Sequence, residues 1–387
     1  MVSYVRVAVI GIGYYGFKPS VPDLSFREMM FEAAMRAYYD ANVDARRDID
    51  VFISCQEDFW EGIAISDEFA PEPIGGVLRP TMTIAGDGLQ CIGQAYMIIK
   101  SGLADIVAVE AHAKPSDIES IQEIYELSLD PQVRTLNIAN PLFQAGLDAT
   151  AYMRWSGARR EHLAIVAVKN RSRGLLNPRA PHASKISLDM VLSSKPVIYP
   201  LTRFEIADFT DVAINIVLAS EEKAKMYTDR PIWIDGIWWS TEVGSGAIEW
   251  HDWGRMPSLR LASREAYRQA GLSNPINQTD FAEVEDRFSY IELLALEELG
   301  LAPGGAHRLL ESGFYDANGS YPVNPSGGSL AVGLTLEATG LWRLLEAILQ
   351  LRGEAGGVQL RDARRAIVAS WRGPPTYTST VAVISKE

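Results

Sequence analysis

Few residues in this chain are spaced for chemistry, and the exceptions decide what chemistry is open to it. Gly11-Ile12-Gly13-Tyr14-Tyr15-Gly16 follows an apolar run and matches the spacing of a dinucleotide-binding loop. That chemistry needs a helix beginning at the glycines, so that its N-terminus meets a pyrophosphate. Pro19 and Pro22 follow instead, and a helix cannot run through them in that register. The glycines therefore read as a permissive strand exit. The histidines His112, His162, His182, His251 and His307 have no metal-ligand spacing, and Cys55 and Cys91 do not make a zinc site, so no metal is expected. Cys91 falls inside a predicted helix, where it reads as a small apolar residue packed on a core. Asp87 stands in the small-residue turn Ala85-Gly86-Asp87-Gly88 ahead of that helix, placed either to cap it or to move protons.

The elements that must position such residues come from a chain of 387 residues with 47 % hydrophobic and 22 % charged residues. This is the profile of a large-cored globular chain and excludes disorder, collagen and coiled coil. A net charge of −13 with no basic run argues against nucleic acid as a partner. No apolar stretch is long enough to span a membrane, and Val5–Ile12 is too short for a secretory leader. Two cysteines are too few for a disulfide framework, so a reducing, cytoplasmic setting is expected.

Strands and helices alternate, as in an α/β fold. Val5–Ile12 is a strand suited to burial on both faces. Ser25 and Glu28 form a capping box for a helix to Ala41, with Phe31, Ala34, Met35 and Tyr38 on one predicted apolar face. Ile49–Ser54 is the next strand. The plan then recurs: strand Pro231–Trp239, helix Ser258–Ala270, strand Asp280–Glu285. A second matched pair is a small-residue turn, helix and strand, over Gly86–Glu110 and again over Ser326–Ser370. Two similar halves are expected, residues 1–230 and 231–387, packed about a pseudo-twofold axis. An inserted loop region, about 114–203, lacks a counterpart and is placed to line a pocket. The segment Trp238–Trp253 carries four tryptophans, suited to an acyl pocket wall, a partner interface or core packing.

The duplicated halves and five segments together resemble the thiolase superfamily, in its sterol-carrier-protein and archaeal branch. The segments are GDGLQCIGQAYMIIKSGLADIVAVEA from Gly86, AIVAVKNRSRGLLNPRA from Ala164, PLTRFEIADFTDVAINIVLAS from Pro200, FAEVEDRFSYIELLALEELGL from Phe281 and NPSGGSLAVGLTLEATGL from Asn324. They lie in family order over nearly the whole chain. The resemblance implies a five-layered α-β-α-β-α fold that dimerises, with a coenzyme A thioester as ligand and no tightly bound cofactor.

The same resemblance implies that the thiolytic apparatus is missing. Counting back from Gly102 places Ala85 where the family carries its nucleophilic cysteine. Leu334, in Gly333-Leu334-Thr335, stands where the family has the histidine of its G-H-P motif. Glu285, in Glu285-Asp286-Arg287-Phe288, replaces the histidine of its H-D-x-F motif. The C-terminal glycine-rich entry is replaced by Trp371-Arg372-Gly373-Pro374-Pro375-Thr376-Tyr377. An acyl-cysteine route needs a thiolate and a base, and alanine and leucine supply neither. Glu285, Asp87 and Tyr377 remain as candidate catalytic groups. Burial in an apolar cleft would raise the Glu285 pKa into the useful range, and pairing with Arg287 would instead keep it ionised. Gly86, Gly88, Asn324, Ser326, Gly327 and Gly328 form the turns that would shape the thioester site, with backbone amides available to a developing enolate.

Three functions follow. The first is a non-thiolytic subunit of a heteromeric acyl-CoA C-acyltransferase assembly, alongside a thiolase paralogue, a zinc-ribbon/OB-fold protein or an HMG-CoA synthase; a homodimer is the simpler assembly. The second is a retro-aldol or Claisen-type C–C lyase acting on an acyl-CoA without a covalent intermediate, as in the thiolase-fold retro-aldolases that this chain is similar to. The third is an active acetyl-CoA C-acetyltransferase, which would require Cys91 as nucleophile.

Overall fold

Nine strands form one hydrogen-bonded series in a computed structural model that describes residues 5–58, 65–127, 129, 131, 140–243, 251–374 and 376–387. They are β1 (Val7–Lys18), β2 (Val51–Cys55), β3 (Thr81–Ile84), β4 (Ile106–Ala113), β5 (Asp211–Ser220), β6 (Ile232–Thr241), β7 (Phe281–Glu283), β8 (Arg365–Trp371) and β9 (Thr378–Ser385). Their order is β3-β2-β4-β5-β1-β6-β9-β8-β7. The first-half series β2-β4-β5-β1 recurs in the second as β7-β8-β9-β6, with the same sequence of one parallel and two antiparallel pairings. The halves join where β1 pairs antiparallel with β6, through Ala8↔Trp233 and Val9↔Ile232.

Helices complete five layers. Helix α1 (Phe26–Ala41) covers the outer face of the first half-sheet and α5 (Pro257–Ala270) that of the second. Between the half-sheets lie α2 (Gly88–Lys100) and α7 (Thr339–Arg352), packed on each other. Every residue of α7 from Thr339 to Leu351 is buried, which requires partners for its polar groups. Glu346 receives both Nε and Nη2 of Arg179, at 2.7 and 2.9 Å, and Gln350 donates to the Val358 carbonyl.

The outer layers explain the glycines of the false fingerprint. A Cβ on Gly13 would lie 2.2 Å from the Ala33 carbonyl oxygen, and one on Gly236 of β6 would lie 2.2 Å from the Ala266 carbonyl oxygen. Each half thus uses a glycine to let its outer helix approach its strand. Strand β1 runs through all three glycines, and α1 starts only after the capping box at Ser25. The buried face of α1 is not the expected one. Ala34 and Tyr38 are buried, but with Met29, Met30, Ala33 and Ala37, whereas Phe31 and Met35 are half-exposed. The small residues set the face, because close helix–sheet approach favours alanine over bulk.

Two further expectations are corrected. Cys55 at the end of β2 and Cys91 on α2 are joined by a disulfide, where Cys91 was expected only as a small apolar residue packed on a core; the sheet and the central helix bring them together across 36 residues. The stretch 114–203 is largely helical where described, carrying α3 (Pro141–Ser156) and α4 (Arg160–Gly174), so it is more than a loop. Helix α6 (Ser289–Glu298) packs against both. No helix among the described residues is long and apolar enough to cross a membrane.

Candidate functional site

A cavity of about 460 Å³ opens at the N-terminal ends of the two central helices. Gly86 and Asp87 reach it from the turn before α2, Leu334, Leu336 and Glu337 from the segment before α7, and Trp371, Arg372 and Pro374 from the exit of β8. The inserted stretch supplies another wall through Asn140, Leu142, Gln144, Ala145 and Asp148 of the α3 region. Phe288 and Tyr290 from the entry to α6 add to a mostly apolar lining. A site of this kind accepts an apolar group and orients it by a few polar atoms.

Asp87 is the N-cap of α2, as a carboxylate at that position should be. One of its oxygens accepts from the Leu89 amide at 3.0 Å and the other from the Gly340 amide in the first turn of α7, at 2.9 Å. Burial pushes its carboxyl up to about 6, against the hydrogen bonds from Leu89 and Gly340 and with help from the charge of Glu285. A carboxyl in that range, in a cavity wall, can exchange a proton near neutral pH.

Glu285 is buried but does not line the cavity. Burial would raise it, yet the Arg287 and Arg343 guanidiniums outweigh that and hold it at about 2. Each cation lies 3.2 Å from one of its oxygens. The charge-pairing alternative is therefore the one present, and Glu285 sits as a fixed anion behind Arg287. Arg287 lines the cavity, donates to the backbone carbonyls of Trp371 and Arg372 and lies under the Trp371 ring. Arg343 also binds Asp286, at 3.1 Å.

The second turn is built from the same buried network. Asn324, at φ +50°, accepts the Val284 amide and donates to Glu292. The Ser326 amide and hydroxyl both donate to Glu283, the Gly327 amide to the Asn324 carbonyl, and the Gly328 amide to the Ser326 hydroxyl. Asp286 takes the next two amides, from Ser329 and Leu330. The amides expected to face an enolate are thus already engaged, and Asn324, Ser326, Gly327 and Gly328 lie outside the cavity lining. Gly88 is buried against Leu341, leaving Gly86 as the thioester-turn glycine that lines the cavity.

Of the positions where the family's catalytic side chains were expected, Leu334 lines the cavity, while Ala85 is exposed beside it and outside the lining. Tyr377 is buried behind the wall: its hydroxyl donates to Gln144 Oε1 at 2.9 Å, and its ring lies tilted against His251. Neither cysteine and none of the five histidines lines the cavity. The disulfide removes Cys91 as a free thiol. His112 stacks on Phe26 and pairs with Glu110 inside the first half-sheet, a structural placement. In the tryptophan-rich segment, residues 244–250 lie outside the described residues, as does Pro375; Trp239 packs against Gly93 of α2 and Trp253 against His251. Gln144, Asp148, Glu337 and Arg372 were not singled out from sequence, because nothing in their local spacing distinguishes them from solvated helix and loop residues.

Residues 244–386 match the Thiolase C-terminal domain-like family. Over 374 residues the chain is 32 % identical to an acetyl-CoA acetyltransferase of Methanothermobacter thermautotrophicus, covering 92 % of this chain and 94 % of that protein. It is 28 % identical over 394 residues to bovine (Bos taurus) sterol carrier protein 2, covering 94 % of this chain and 69 % of that one. Among solved structures, the Ltp2-ChsH2(DUF35) aldolase superposes with a TM-score of 0.84 at 23 % identity, covering 98 % of each chain. Human mitochondrial 3-ketoacyl-CoA thiolase superposes at 0.74 with 17 % identity, covering 99 % of each; both structural likenesses speak for the fold. With a five-layered fold of two like halves, and a relative matched along nearly its full length, the chain belongs to the thiolase superfamily, similar to its archaeal and sterol-carrier-protein members.

Proposed function

We propose that the chain is an acyl-CoA-binding, non-thiolytic subunit of a heteromeric acyl-CoA C-acyltransferase assembly, holding the acyl group of a coenzyme A thioester in the cavity. The observation that carries this is the cavity's composition: about 460 Å³, mostly apolar, walled by the turns at Gly86-Asp87 and Leu334, with no cysteine or histidine in its lining. An acyl-cysteine intermediate has no nucleophile there. A partner then supplies the missing chemistry; a thiolase paralogue, a zinc-ribbon/OB-fold protein and an HMG-CoA synthase are the candidates, and a homodimer is the assembly without one. The two-protein name of the Ltp2-ChsH2(DUF35) aldolase agrees with a thiolase fold working beside a second chain.

Calorimetry with acetyl-CoA and decanoyl-CoA tests the ligand, and identification of proteins that co-purify from the native host tests the partner. Micromolar binding of the longer thioester together with a stoichiometric companion supports the reading. Absence of both overturns it.

A second reading, a non-covalent C–C lyase, is favoured by one observation: Asp87 lines the cavity with its carboxyl pushed up to about 6. In a retro-aldol cleavage such a group, ionised, would take the 3-hydroxyl proton as the Cα–Cβ bond breaks to a carbonyl and an enolate, and then return that proton to the thioester's α-carbon. Incubation with a 3-hydroxyacyl-CoA, with mass-spectrometric detection of the released carbonyl compound, tests it. Turnover unaffected by Asp87→Asn would remove Asp87 from the mechanism.

A further inference from the structure

We propose that Asp148 and His251 form a recognition pair in the cavity wall that accepts a hydrogen bond from a hydroxyl group on the bound acyl chain. The inference rests on the acyl-CoA reading above and narrows its substrate class to hydroxylated acyl thioesters.

Asp148, on α3, lines the main cavity and also borders a side chamber of about 10 Å³. One oxygen is committed: Oδ1 accepts from the Gly254 amide at 2.8 Å and from His251 Nε2 at 3.2 Å. The other, Oδ2, receives among the described residues only a 3.4 Å contact from the same imidazole nitrogen. A carboxylate this deeply buried normally fills its acceptor sites. Here acceptor capacity is left over in a wall that is otherwise mostly apolar.

His251 stands behind it with its side chain 5 % exposed. The rings of Tyr377 and Trp253, with centroids at 4.7 and 4.6 Å, clamp the imidazole plane. Its Nδ1 is buried and has no partner among the described residues. The side chamber bordered by His251 and Glu242 has about the volume one water needs, and a water there would serve that nitrogen. Burial works to lower the His251 pKa, but the hydrogen bond to Asp148 and the charges of Asp148, Glu242 and Asp252 outweigh it and raise the ring above its usual range. Arg255, Tyr290 and Tyr377 are the other ionisable groups bordering the chamber.

The charge balance selects the ligand. A lone carboxylate would favour an ammonium group, and a lone imidazolium a carboxylate. Hydrogen-bonded to His251, the Asp148 carboxylate does not stand in this wall as a lone charge. What persists is a strong acceptor atom, and the neutral partner it suits is an O–H donor.

The test uses the full chain and calorimetry with three ligands of equal length: decanoyl-CoA, 3-hydroxydecanoyl-CoA and 10-hydroxydecanoyl-CoA. At least one hydroxylated ligand is expected to bind about tenfold more tightly than decanoyl-CoA, the size of one hydrogen bond to a charged group. Asp148→Asn is expected to shrink that preference to about twofold. Equal binding of all three by the wild type overturns the proposal, and does so even if the variant does not fold. A preference that survives in folded Asp148→Asn overturns the assignment to Asp148. Failure of every ligand to bind overturns the acyl-CoA reading itself, an outcome distinct from binding without preference.

Discussion

Asp87 and Gly340 lie 253 residues apart and are joined by a 2.9 Å hydrogen bond from the Gly340 amide to the Asp87 carboxylate. The same carboxylate caps its own helix through Leu89. One side chain thus holds the N-termini of both central helices at the cavity. The two halves of the molecule meet there through Asp87 and through the packing of Gly88 against Leu341.

The pH dependence of stability should carry the signature of Asp87. Its carboxyl is raised from an ordinary 3.8 to about 6 on folding, so its unfavourable ionisation falls on the folded state. Its contribution to stability is greatest below the unfolded pKa and is lost as pH rises from about 4 through 6, by about 3 kcal/mol in full. Asp87→Asn, which does not titrate, should flatten that part of the stability–pH curve. Urea unfolding at intervals between pH 4 and 7 measures it; parallel curves for the two proteins would contradict the assignment.

Glu285→Gln should destabilise the protein by about 3–5 kcal/mol at neutral pH, because it leaves Arg287 and Arg343 buried with one anion fewer. The sign with pH is opposite to that of Asp87. Glu285 is held at about 2, so its contribution is present above the ordinary 4.5 and lost as pH falls from there through 2. Denaturation of wild type and variant at pH 7 and pH 3 should show the difference between them narrowing in acid. A loss below 1 kcal/mol at pH 7 would mean that the arginines are satisfied without Glu285.

Gly328→Ala should cost about 3 kcal/mol. Gly328 has φ +62°, and a Cβ there would stand 2.0 Å from Asp286 Oδ2, the atom that accepts from Leu330 and Asn170. The methyl group must displace a fully buried carboxylate or move the turn. Chemical denaturation reads this directly. Wild-type stability in Gly328→Ala would show that the turn has slack the packing does not suggest.

Leu334→Trp should weaken decanoyl-CoA binding more than tenfold with little change in melting temperature. Leu334 is partly exposed and lines the cavity, so a larger ring there occupies ligand space without disturbing the core. Calorimetry and a thermal melt on the same preparation separate the two effects. Unchanged affinity would place the acyl group elsewhere.

Much of the scaffold was legible locally. The Ser25–Glu28 capping box, the alternation of apolar strands with helices and the recurrence of that plan are carried by contacts within a few residues, and the structure keeps them. The failure of Gly11–Gly16 as a nucleotide loop was equally local, since Pro19 and Pro22 forbid the helix it needs. The buried face of α1 was misjudged because periodicity alone does not say whether a sheet will accept Phe31 and Met35 or, as here, the alanines between them.

What only the tertiary structure decided is the electrical state and company of each ionisable group. Glu285 and Asp87 are both carboxyls at turns, and although the sequence offers Arg287 as a partner for Glu285, it does not say whether pairing or burial prevails. Arg287 and Arg343, the latter brought in by the fully buried α7, hold the one down, while Asp87 has backbone amides for partners and rises. The sulfurs of Cys55 and Cys91, and the pairing of Asp148 with His251 across 103 residues, are decided in the same way. Local backbone preference acts over one or two helical turns and can be read along the chain. Desolvation and charge pairing act through space, between residues that only the folded sheets and central helices bring within reach.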